Sequence, residues 1–221
     1  MLFSVLSRKL TRAATLAGGV IACLIFLGAG YIGVAMLATF FILGSAATSW
    51  KLGLKQQLGF AEKNKGRRTT TQVMANGTVA AIMGLLVWLY PSQKNLFLIM
   101  TAASLASATA DTLSSELGTV YGRKFYNITT LKKDARGSDG VISIEGIIIG
   151  IIGSGLIAVI YALGYGMDKN FLWIIVAGTI GNLTDSLLGA TLERKNFLHN
   201  DMVNFINTLI AAIAALLLYS V

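Results

Sequence analysis

The chain of 221 residues is 55% hydrophobic and only 13% charged, with a mean hydropathy of +0.70. A soluble domain carries roughly 25% charged residues, so this composition excludes an ordinary water-soluble protein and makes the bilayer the solvent. The net charge of +8 lies in short loops, not in a basic domain, which excludes nucleic acid as a partner. A single cysteine, Cys23, excludes an internal disulfide, and a single histidine, His199, excludes a multi-histidine metal site.

Residues 1–12 form a short basic head with Arg8, Lys9 and Arg12. Two apolar spans follow at 13–29 and 31–50, joined in a tight hairpin at Gly28-Ala29-Gly30. Residues 51–72 read as a polar loop containing Lys63, Lys65, Arg67 and Arg68. A second hairpin pairs spans 73–90 and 95–118 around Pro91, the only proline. A polar loop at 121–140 leads to a third hairpin, with spans 141–164 and 171–192. A loop at 193–201 precedes the last span, 202–221. Each span approaches the ~20 residues that cross a bilayer. The fold class is therefore all-α, a polytopic transmembrane bundle of about seven spans forming one membrane domain over 1–221. A cleaved signal peptide would explain only the first apolar run.

The loops fix the expected orientation. With a cytoplasmic N-terminus, seven spans put sixteen of the eighteen Lys and Arg residues inside, leaving Lys94 and Lys169 outside. Adding or dropping a span scrambles that split, which is what the positive-inside rule would disfavour. A merged first pair of spans would also be far too long at a rise of about 1.5 Å per residue. The expected location is a bacterial inner membrane, with the polar face cytoplasmic.

Ionisable side chains in apolar spans are functional candidates by default, because the bilayer makes them costly. Asp111 and Glu116 lie in the fourth span, and Asp185 in the sixth with Glu193 at its end. Ser104, Ser107, Asp111, Ser114 and Ser115 recur at helical spacing, as do Gly181, Asn182, Asp185 and Gly189. Ala-Asp-Thr-Leu at 110–113 and Thr-Asp-Ser-Leu at 184–187 put an aspartate at similar depth on two helices. Such a pair can hold a divalent cation, and oxygen ligands with room for water and phosphate suit Mg²⁺. Equally, neighbouring hydroxyls and basic loops can satisfy the carboxylates. The polar loops hold the complement: Arg67, Arg68 and Asn76 on one side, Arg123, Lys124, Lys132, Lys133 and Arg136 on the other. Gly137-Ser-Asp-Gly140 with Ser143 makes a Gly-Ser turn feeding a helix, a source of backbone N–H donors for an anion. Gly146 and Gly150, and Gly178, Gly181 and Gly189, read as close helix packing.

In order, Gly66-Arg-Arg68, Gln72-Val-Met-Ala-Asn-Gly77, Ala110-Asp-Thr-Leu-Ser-Ser-Glu-Leu-Gly118, Thr129-Thr130, Gly137-Ser-Asp-Gly140 with Ser143, Gly181 with Asp185-Ser-Leu-Leu-Gly-Ala-Thr191, and Val203-Asn-Phe205 resemble the phytyl-phosphate kinase family of integral membrane proteins. The resemblance runs from about Gly59 to Val221. It implies transfer of a phosphoryl group from a nucleoside triphosphate, CTP foremost, to an isoprenyl or phytyl monophosphate, giving the diphosphate. It implies Asp111, Glu116 and Asp185 as catalytic carboxylates and Mg²⁺ ligands. The phosphate contacts would be Arg67, Arg68, Asn76, Arg123, Lys132, Lys133, Arg136, Gly137, Ser138, Gly140, Ser143 and Asn204. One departure from the family matters: Asp139-Gly140-Val141 stands where Asn followed by two glycines is usual. Partners would be the nucleotide, a prenyl-phosphate lipid and the membrane. An ion-coupled transporter and a CTP-dependent lipid-phosphate cytidylyltransferase are the competing readings. The absence of a Walker motif excludes a P-loop enzyme.

Overall fold

A computed structural model of the chain describes residues 9–59 and 67–220. Arg8 of the basic head and Lys63, Lys65 and Gly66 of the first loop lie outside the described residues. In chain order the helices are α1 (Arg12–Ser49), α2 (Leu52–Gln57), α3 (Thr70–Leu89), α4 (Lys94–Tyr121), α5 (Ile144–Tyr165), α6 (Lys169–Leu188) and α7 (Asn200–Tyr219). Six of them are long and apolar enough to cross a membrane, forming a polytopic helical bundle.

The first of these six makes two crossings. A straight helix of 38 residues would be about 57 Å long at the α-helical rise. Instead Lys9, just before α1, hydrogen-bonds through Nζ to the hydroxyl of Ser49 at its end. The reversal sits at Gly30, whose φ of 57° and ψ of −151° are open to glycine but not to other residues. Tight packing at the bend shows the same thing: a Cβ on Gly33 would lie 2.7 Å from Ile25 Cγ2, eight positions back. The hairpin expected at residues 28–30 is thus present, with arms at 12–29 and 31–49.

Helix starts follow capping chemistry. The Thr69 side chain accepts from Gln72 N–H, and the Gln72 side chain accepts from Thr69 N–H, closing a capping box on α3. Thr11, Ser143 and Asp168 cap α1, α5 and α6. The fifth span was expected to begin at 141. It begins at Ile144, because Val141–Ile142 forms a strand, β2, pairing antiparallel with β1 (Tyr126–Asn127).

α4 is the axis of the bundle. Every residue from Leu98 to Ala110 is buried, and α4 packs against each of the other long helices. Alanines and serines dominate that run, so neighbouring backbones approach closely, as van der Waals packing in a bilayer requires. Large apolar side chains such as Leu16, Val20, Leu163 and Leu172 stay exposed on the outside of the bundle, where lipid solvates them.

The polar segments gather at one end. Trp50 Nε1 donates to Tyr121 Oη at 2.8 Å, and Lys51 lies over the Tyr121 ring. Arg136 bonds the Val120 carbonyl, and residues 9–11 pair with 67–69 through Arg68 N–H to Lys9 O and Thr11 N–H to Arg68 O. At the opposite end Tyr165 Oη donates to Ala29 O at 2.6 Å.

Candidate active site

At the polar end, α3, α4, α6, α7 and the 137–143 segment enclose a cavity of about 230 Å³. Its two central groups are Asp111 and Asp185, whose carboxyls meet within hydrogen-bonding reach across the α4–α6 interface. The packing one turn earlier makes this possible. A Cβ on Gly181 would sit 2.1 Å from Ser107 Oγ, so glycine there lets α6 come in against α4. Four residues on from Gly181 and Ser107 come Asp185 and Asp111, and a helical turn carries the close approach to the carboxylates. A buried relay orients Asp185: Ser107 Oγ donates to Asn207 Oδ1 at 3.1 Å, and Asn207 Nδ2 donates to Asp185 Oδ1 at 2.7 Å. Asn207, fully buried on α7, is a site residue that its sequence context does not announce.

Glu116 borders the cavity, but its Oε2 receives Lys55 Nζ at 2.5 Å. Lys55 is buried, and its ammonium also bonds the carbonyls of Ala47 and Thr48 at the end of α1. The expected trio of carboxylate ligands is therefore a facing pair, with Glu116 turned to a lysine 61 positions away. Among the described residues no three acidic, histidine or cysteine side chains gather to hold a metal. Asp111 and Asp185 are the two that could share one with a substrate's own oxygens, the arrangement typical of Mg²⁺ sites.

The 137–140 segment reaches the cavity by docking on the end of α6. There the chain makes one wide turn, Gly189–Glu193, closed by Arg194 N–H to Gly189 O at 3.2 Å. Gly140, at φ 70°, fits so closely that a Cβ would meet Ala190 N at 2.2 Å. Arg194 ties the two parts: its Nε donates to Asp139 O at 2.6 Å and its Nη2 pairs with Asp134 Oδ2 at 2.8 Å. Asp139, the departure from the family pattern, is a wall of the cavity.

Asp134 lies in the loop outside the spans. The Ala135 N–H first, then the Arg194 guanidinium, hold its carboxyl below the usual carboxylate range. A depressed carboxylate stabilises the fold above its unfolded value, near 3.9, and loses that contribution as pH falls through the lower folded value. Amide exchange over 134–140, corrected for intrinsic rates, is therefore expected to stay constant from neutral pH to about 5 and to rise only in stronger acid. Arg194→Gln should raise it already at neutral pH.

Of the expected phosphate contacts, Arg68, Asn76, Gly137, Ser138, Gly140, Ser143 and Asn204 line the cavity. Ser143 reaches it while also capping α5 through Gly146 N–H at 3.1 Å. The other five do not line it. Arg67 is exposed and bonds the Leu10 carbonyl; Arg123, Lys132 and Lys133 are exposed on the loop. Arg136 stacks over Phe125 and bonds Val120 O. Arg123, Lys132 and Lys133 thus coat the surface, Arg136 is held half-buried against Phe125, and Gly137, Ser138 and Gly140 border the cavity. Gln72, Asn182, Glu193 and Asn200 are among the other polar residues of the lining. Their signal in the sequence was helical spacing from a site residue: Gln72 and Asn76 lie four apart, and Asn182 and Asp185 three apart.

Among the described residues the lining holds five carboxylates, on Asp111, Glu116, Asp139, Asp185 and Glu193, against one guanidinium, on Arg68. Any phosphate entering so acid-rich a cavity would need cations to offset the carboxylates.

A family model described as integral membrane protein DUF92 matches residues 1–212, and the chain belongs to that family. The chain is 34% identical over 196 residues to Protein VTE6, chloroplastic, of Arabidopsis thaliana, covering 86% of this chain and 59% of that protein. It thus spans about three-fifths of VTE6. It is 33% identical to the uncharacterized membrane protein MJ0933 of Methanocaldococcus jannaschii over 96% of this chain and 87% of the relative. It is 32% identical to the uncharacterized membrane protein sll0875 of Synechocystis over 89% and 78%. The family resemblance read from the ordered motifs is thereby borne out. No solved structure matches the chain.

Proposed function

We propose that the protein is a membrane-embedded kinase that moves the γ-phosphoryl group of a nucleoside triphosphate, CTP foremost, onto an isoprenyl or phytyl monophosphate. The observation that carries this reading is the facing Asp111–Asp185 pair in one cavity with Arg68 and the Gly137–Gly140 turn. Phosphoryl transfer asks little covalent chemistry of a protein; it needs charge neutralisation and alignment of attacking and leaving oxygens. Mg²⁺ arriving with the nucleotide would be held by Asp111 and Asp185 and would neutralise charge on the transferring phosphoryl group. Asn207 fixes the orientation of Asp185, and Arg68 and the amides of the 137–140 turn bind phosphate oxygens. The acceptor needs no strong base, since a phosphate monoester is already an anion near neutral pH. By the positive-inside rule the cavity would open to the cytoplasm, within reach of soluble nucleotide.

The test is transfer of label by purified protein with Mg²⁺, a panel of triphosphates and phytyl or geranylgeranyl monophosphate. Label from the γ-phosphate is expected in the lipid product. Label from the α-phosphate instead would make the protein a cytidylyltransferase. Ion flux in proteoliposomes with no product would make it a transporter.

A further inference from the structure

A second cavity, of about 580 Å³, opens between the two arms of α1 and α3. Its walls are apolar and carry small residues, among them Gly18, Ala22 and Ala38, with Phe26 and Ile42 exposed at the edge toward lipid. Its volume lies within the roughly 300–1,000 Å³ typical of small-molecule sites. It meets the acid-rich cavity at one residue: Arg68 borders both. α3 is the partition, presenting Gln72 and Asn76 to the polar side and, one position on, Val73 and Gly77 to the apolar side. Successive helix positions are about 100° apart, so one helix serves two chemically opposite walls.

Arg68 is built into this junction. Its backbone is tied to Lys9 and Thr11, its guanidinium lies 4.6 Å from the Phe40 ring centre, and Gly44 leaves it room, since a Cβ there would meet Nη2 at 2.2 Å. Among the described lining residues it is the one charged group of the apolar groove, so the groove suits an apolar chain with an anion at one end. A diacyl lipid brings two chains and a bulky glycerol ester; a single-chain phosphomonoester fits both halves.

We propose that this groove seats the hydrocarbon tail of a single-chain isoprenoid monophosphate, with Arg68 holding its phosphate toward Asp111 and Asp185. The assignment rests on the kinase reading, whose acceptor it locates. It also explains the hairpin, since the two arms of α1 supply most of the groove wall.

The experiment is photolabelling of the full-length protein, without nucleotide, by geranylgeranyl monophosphate carrying a terminal diazirine. Adducts are expected within 15–42 and 73–77, competed by unlabelled geranylgeranyl monophosphate and not by phosphatidic acid. Loss of a charge-assisted contact is of order 1.5–3 kcal/mol, so Arg68→Gln should weaken labelling affinity by about 10-fold or more. Ala38→Phe, and separately Val34→Phe should the first not fold, should displace the adducts from the groove. Adducts confined to the outer faces of α5 and α6, or equal competition by phosphatidic acid, would overturn the proposal. Groove adducts from a protein that transfers no label from any triphosphate would keep the groove and remove the kinase; turnover with adducts elsewhere would do the reverse.

Discussion

Asp111→Asn and Asp185→Asn are each expected to lower γ-phosphoryl transfer by about 10³-fold or more while leaving the melting temperature unchanged or raised. The loss follows from the position of the two carboxylates at the centre of the cavity, where each would bear on the same cation and the same developing charge. Preserved stability follows from shape and charge together. The amide has the size of the carboxylate and keeps an oxygen for the Asn207 Nδ2 donor, which lies 2.7 Å from Asp185 Oδ1. It also removes one of two like charges in contact, a repulsion that only a proton or a cation relieves. Steady-state transfer and thermal unfolding in detergent measure the two halves of the expectation. Turnover within about 10-fold of the parent in both variants would remove this pair from the reaction.

Much of this site could be read from the sequence, because bilayer physics leaves few options. Spans show as apolar runs of fixed length, and the distribution of Lys and Arg decides their number. The Gly28–Gly30 hairpin was legible for that reason, although no proline or polar residue marks it. The convergence of Asp111 and Asp185 was legible too, since the fourth and sixth spans run in the same direction and carry a short shared motif at similar depth. What the sequence hid depends on pairing across long separations. Nothing near Lys55 in Leu52–Gln57 marks it as the partner of Glu116, and a short amphipathic stretch in a basic loop reads as surface. Arg123, Lys132 and Lys133 show the opposite difficulty: phosphate recognition and membrane retention use the same residues, and only the fold separates them. The strand pair β1–β2 was invisible because each strand is two residues long.

The Lys55–Glu116 pair gives the second large effect, and a sharper division of labour at the site. Breaking a buried ion pair by removing one partner costs on the order of 3–5 kcal/mol, because the remaining charge stays desolvated. The two removals are not equivalent here. Lys55→Met leaves the Glu116 carboxylate facing an apolar side chain and frees the carbonyls of Ala47 and Thr48, so its melting temperature is expected to fall most. Glu116→Gln leaves the ammonium with both carbonyls and a neutral oxygen to donate to, so it should fall less. The double variant Lys55→Met/Glu116→Gln removes both charges and should recover part of the loss, a coupling that a double-mutant cycle reads directly. Turnover separates structure from chemistry. If Glu116 serves to anchor α2 beneath the cavity, Glu116→Gln keeps activity within about 10-fold of the parent, far from the loss in Asp185→Asn. A collapse of activity in a well-folded Glu116→Gln protein would instead return Glu116 to the reacting centre.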